Sequence, residues 1–144
     1  HAQEHAIEVQ LPFLQCVLDH FAIVPIAVGQ ADAASVAAAI EALWGGPETL
    51  ILVSSDLSHY HPYRQAQLRD KATLAQIQQL DPRIEPEQAC GAGPINGLLL
   101  AALRHHLRPQ VLDQRNSGDT AGDRNRVVGY AAIAFSEDLD HACH

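Results

Sequence analysis

Asp56, His59 and His61 stand together in Ser54-Ser55-Asp56-Leu57-Ser58-His59-Tyr60-His61. A carboxylate three residues ahead of an imidazole could work as an acid/base pair, and a His-x-His spacing could hold a metal. The cluster directly follows Leu50-Ile51-Leu52-Val53, an apolar run that reads as a strand buried on both faces. In open α/β sheets, ligands sit at the carboxyl ends of strands, so an abrupt switch to polar residues there marks a site. The plainer alternative is a turn whose polar side chains cap the next helix. Two imidazoles are a poor choice for capping alone.

Three further groups could carry chemistry. Cys90 lies in Ala89-Cys90-Gly91-Ala92-Gly93-Pro94, just ahead of an amphipathic helix. A helix N-terminus favours the thiolate, the form that ligates metals and attacks electrophiles. The competing role is that of a small buried hydrophobe. Glu4-His5-x-x-Glu8 puts its side chains on one helical face, where a carboxylate could orient the imidazole or share a metal. A solvated acidic helix start explains the same spacing. The stretch from Asn116 to Asp123 suits a loop beside a pocket, or an ordinary surface turn.

The elements that must position these residues alternate between helix and strand. Ile7, Leu11, Leu14 and Leu18 fall at helical spacing, with Pro12 either kinking that helix or starting its main part. Ala22 to Val28 reads as a strand, and Asp32 as the N-cap of an Ala-rich helix that ends near Gly45-Gly46-Pro47. After the strand at Leu50 comes a polar helix from Tyr63 to Leu80, stopped by Asp81-Pro82. A short helix is expected around Pro86 to Ala89, and Pro94 opens an amphipathic one through Leu103. Val111-Leu112 and Val127 to Phe135 read as closing strands. The expected fold class is α/β, a mixed, partly parallel sheet flanked by helices. Residues 1–136 form one domain in this reading, with 137–144 an acidic tail.

Composition narrows the function classes. The 144 residues are 47% hydrophobic and 18% charged, which suits a folded chain with a core. A net charge of −8 argues against nucleic acid and against an anionic membrane surface. Cys16, Cys90 and Cys143 are odd in number and widely spaced, which fits a reducing compartment, so a cytoplasmic location is expected. The chain contains no Met and opens on His1-Ala2-Gln3. It therefore reads as part of a longer protein.

Four ordered segments, taken together, resemble the Memo family. His5-Ala6-Ile7-Glu8-Val9-Gln10-Leu11-Pro12-Phe13-Leu14-Gln15 is similar to its EHSIEVQLPFLQ segment, and Ser54 to Tyr60 to its SSDxSHY segment. Cys90-Gly91-x-Gly93-Pro94-Ile95 resembles its CGxxPI segment, and Ser117-Gly118-Asp119 with Val127 to Ala132 its closing stretch. The family is similar in fold to the LigB-type, class III extradiol ring-cleaving dioxygenases. The resemblance implies a metal site of two histidines and one cysteine, with Cys90 aligned to that cysteine. The two histidines belong to upstream motifs of the APHAGY and GPSHH kind, which do not occur here. The chain thus resembles the carboxyl-terminal part of a Memo protein.

The same resemblance puts Asp56 and His59 at catalytic or supporting positions of the cleft, with His5 as a further, cofactor-binding histidine lining it. The acid/base role of the ring-cleaving relatives carries to His59, and His61 drops to a surface residue. Iron is the implied metal, with copper second. Three readings stand: a dioxygenase-like iron oxidoreductase, a non-catalytic metal- or peptide-binding module, and a zinc hydrolase using His59, His61 and Cys90. The expected ligand is a small molecule or peptide. Self-association through the surface left by a missing upstream half is a further expectation.

Overall fold

A computed structural model describes residues 5–120 and 122–137. Helix α1 spans Leu11–Val17, and Pro12 lies in its first turn, where a missing N–H leaves no bond unmade. Helix α2, Ala33–Ala42, is capped by Asp32, whose side chain accepts the Ser35 N–H at 2.7 Å. Strand β1 is short, His59–His61, and runs almost directly into α3, Tyr63–Gln78. Helix α4, Ala92–Arg104, precedes the two long strands β2, Arg108–Asn116, and β3, Val127–Ser136. A single 3-10 turn, Ser117–Asp119, separates those strands.

The sheet corrects one expectation. Its strand order is β1-β3-β2 and both pairings are antiparallel, so no parallel pair exists among the described residues. The apolar runs at 22–28 and 50–53, read as strands, form neither helix nor ladder there. Apolarity marks a segment for burial, whereas a strand also needs a neighbour for its N–H and C=O groups. The described sheet offers these runs none: Val24 and Leu50 remain 72% and 70% exposed. Residues 85–89 likewise form a hydrogen-bonded turn rather than a helix, with the Gln88 and Ala89 N–H groups both donating to the Glu85 carbonyl. Of the acidic tail only Glu137 is described, and residues 1–4 also lie outside the description.

The core sits between α3, α4 and one face of the sheet. Leu74 and Ile77 of α3 meet Ile95 and Leu99 of α4, with Leu57 and Ile84 completing the cluster. Val111, Ile133 and Phe135 close it from β2 and β3. A second cluster packs Val36 and Ile40 of α2 against Ala101 and Leu98 of α4. Gly97 allows that approach: a Cβ there would lie 2.3 Å from Val36 Cγ1. Both long helices end on a left-handed residue, Leu80 at φ 54° and His106 at φ 53°. The Asp81 N–H then reaches back to the Gln76 carbonyl, and the Leu107 N–H to that of Ala102, satisfying helix-end acceptors. Among the described residues no helix is long and apolar enough to cross a membrane.

The α3 N-terminus is tied to the loop before β3. The Tyr63 hydroxyl donates to Asp119, which also accepts the Asn116 N–H at 2.8 Å. The Tyr63 bond first, and the Asn116 bond second, hold the Asp119 carboxyl below its ordinary value. The same contact raises the Tyr63 phenol. A carboxyl lowered in the folded state stabilises the fold at pH above its ordinary value, and that contribution is lost as pH falls through the lowered value. Tyr63→Phe is therefore expected to move the Asp119 titration, followed by NMR, up towards the ordinary carboxylate value. The acid-unfolding midpoint should rise with it, and an unchanged Asp119 titration would sink this assignment.

Candidate metal centre

Ser54 to Ser58 cross from the apolar run into β1, and three contacts fix their path. The Leu57 N–H donates to the Gly129 carbonyl at 2.9 Å, and the Gly129 N–H donates to the Ser58 carbonyl at 2.9 Å. The Ser58 N–H donates to the carboxylate of Asp70, a residue of α3 only 1% exposed. Gly129 is required by that carboxylate, since a Cβ there would lie 2.0 Å from Asp70 Oδ2. The loop is thus held from β3 and from α3 together.

Cys90 arrives from the other side, one residue before the α4 N-cap Gly91. The Gly91 N–H donates to Ser55 Oγ at 2.8 Å, and that hydroxyl donates to the Asp56 carbonyl at 2.7 Å. A Cβ on Gly91 would lie 2.7 Å from the Ser55 side chain, so glycine permits the close approach. Cys90 Sγ then accepts the Asp56 N–H at 3.3 Å and lies 3.6 Å from Ser55 Oγ. Asn96 of α4 holds the segment behind Cys90 by bonding both the N–H and the carbonyl of Ile84, at 2.8 and 2.9 Å. Gln10 reaches the same loop, donating to Ser54 Oγ at 3.0 Å.

The outcome is a convergence of donors from distant parts of the chain. One ligand atom each from Asp56, His59 and Cys90 lie within 4.8 Å of one another. Asp56 Oδ2 is 3.3 Å from His59 Nε2. That nitrogen is buried and makes no hydrogen bond to any described group. The Asp56 carboxylate is its ion-pair partner when the ring is protonated, and on the neutral ring the nitrogen is free to meet a cation or a ligand hydroxyl placed among the three side chains. Nitrogen, carboxylate and thiolate donors together suit a borderline transition metal better than magnesium or calcium. The residues present fit a metal.

Leu57, His59, His61, Pro86, Glu87 and Cys90 line a cleft of about 190 Å³. His61 is half-buried and lines it. His5 is exposed, pairs with Glu8 and is not one of the three converging side chains. Cys16 is exposed on α1, and Cys143 lies outside the described residues. Asn116 to Asp119 form a capping box, and Ser117 Oγ accepts the Val128 N–H at 3.1 Å, so this polar stretch anchors β3. Tyr130, missed in the sequence, has its phenol pushed above the ordinary value by burial and then by the charge of Asp56. Asp70, Ser55 and Asn96 were also missed, since each acts through a partner far away in sequence.

A family model described as Memo-like protein matches residues 1–134. The MEMO1 family protein of Metallosphaera sedula is 35% identical over 150 residues, covering 95% of this chain and 53% of that relative. The corresponding protein of Sulfolobus acidocaldarius is 39% identical with the same coverage. That of Methanosarcina barkeri is 38% identical over 147 residues, covering 92% of this chain and 56% of its own length. The chain spans about half the length of the curated relatives it matches. Within that span, Gly129→Ala should drive a methyl group into the Asp70 carboxylate and cost about 1–3 kcal/mol of stability. Chemical denaturation measures this, and an unchanged midpoint would mean that Asp70 does not hold the loop.

Proposed function

Because the chain belongs to the Memo family, we propose that its cleft holds iron and serves a dioxygenase-like oxidoreductase. The observation that carries this reading is the convergence of ligand atoms from Asp56, His59 and Cys90 within 4.8 Å of one another. Cys90 would be the ligand in this chain, with copper as the second candidate metal. Bound iron would supply a redox-active Lewis acid. His59 would exchange a proton with the substrate. Asp56, 3.3 Å away, would orient the ring and stabilise the imidazolium. His5 is proposed as a further cofactor-side histidine, on the family resemblance alone.

A zinc hydrolase is the second reading that an observation favours, because His59, His61 and Cys90 line one cleft. Metal content after purification without chelators separates the two. A non-catalytic metal- or peptide-binding module keeps the same donors and differs only in lacking turnover. Partner binding that persists in His59→Ala would favour it.

Anaerobic Fe(II) loading of the full-length protein, followed by oxygen uptake with catechols, tests the proposal. Cys90→Ser should bind iron more weakly, and His59→Ala should keep iron while uptake falls roughly 100- to 10,000-fold. No uptake with any catechol, or full uptake in His59→Ala, would overturn the acid/base assignment.

A further inference from the structure

Tyr60 separates the two histidines of the cleft, and its backbone is left-handed, with φ 62°. For a bulky aromatic residue this conformation is an outlier that persists only where the surroundings hold it. The ladder explains why it is needed. His59 pairs with Val128 and His61 with Val127, so two steps along β1 match one step along β3. Tyr60 is the extra residue of a β-bulge. In an unbulged ladder His61 would stand opposite residue 126. The bulge moves it by one position, and its imidazole lines the cleft with His59 and Cys90.

The surroundings that hold the bulge are also visible. The Arg126 guanidinium lies 5.0 Å from the centroid of the Tyr60 ring. The His59 ring is 5.5 Å away, tilted by 50°. Arg126 immediately precedes Val127, the partner of His61, so the cation sits on the residue that leads into β3. Behind the bulge, the Tyr63 N–H donates to the Arg124 carbonyl at 2.9 Å and pins the exit of β1.

We propose that Tyr60 is a positioning residue: a bulge locked by Arg126 that sets the spacing of the His59 and His61 imidazoles in the cleft. Its cobalt readout rests on the reading above in which His59, His61 and Cys90 together hold a metal, whereas its NMR readout does not. Val at this position resists the left-handed conformation, Phe keeps the ring, and Arg126→Gln removes the cation from an exposed position.

In the metal-free protein, nuclear Overhauser contacts from the His61 ring to the side chains that line the cleft with it should vanish in Tyr60→Val. They should weaken in Arg126→Gln and return in Tyr60→Phe. Titration with Co(II), read through the thiolate-to-cobalt absorption band of Cys90, should show roughly 10-fold weaker binding in Tyr60→Val and rescue in Tyr60→Phe. If Tyr60→Val does not fold, Arg126→Gln alone decides. Contacts and cobalt affinity that stay at wild-type levels in the folded variants overturn the proposal. A wild-type protein that binds no cobalt, yet loses the His61 contacts in the variants, defeats the metal reading and leaves the positioning role intact.

Discussion

The buried carboxylate of Asp70, seated against the bare backbone of Gly129, is the contact on which the arrangement of the cleft depends. It accepts the Ser58 N–H at the point where Leu57 and Ser58 exchange backbone bonds with Gly129. One side chain from α3 and one glycine of β3 therefore fix where the chain enters β1. Asp56 and His59 lie on either side of that point, so their 3.3 Å approach follows from backbone placement rather than from their own attraction. Both are substantially exposed, and an exposed ion pair holds little by itself. The acid that matters most for the geometry is the one that does no chemistry.

Cys90 is brought in by a separate device. Its position depends on α4, whose N-cap Gly91 lets the helix start touch Ser55 without a side chain in the way. The hydroxyl of Ser55 then joins the two halves, accepting from Gly91 and donating to the Asp56 carbonyl. Apolar packing of α4 against α2 on one side and the cluster with α3 and the sheet on the other sets the direction of the helix, and the polar contacts set its last ångström. The turn before α4, the loop before β1 and β1 itself each contribute one donor to the cluster, so loosening any one of them opens it.

Much of this was legible locally. The Asp32 cap, the starts of α3 and β3, the apolar face of α4 and the polar switch after Val53 all depend on residues within one or two turns of each other. Short-range propensity decides such features. The parallel strands expected at 22–28 and 50–53 show the opposite case. Their composition marks them as buried, but pairing depends on a neighbour, and the described residues supply none. The left-handed helix ends at Leu80 and His106 also left no signal, because the usual glycine is absent and tertiary packing imposes the turn.

By itself the sequence determined the residue types of the cleft, the order of its helices and the family motifs that place Asp56, His59 and Cys90. These are properties of short segments. Only the tertiary structure decided that Cys90 meets Asp56 across 34 residues, that Asp70 fills the space left by Gly129, and that His61 faces the cleft. Each of these depends on strand register or on one backbone approaching another, set jointly by distant segments. A single bulged residue shifts such a register by one position, and no local pattern records the shift.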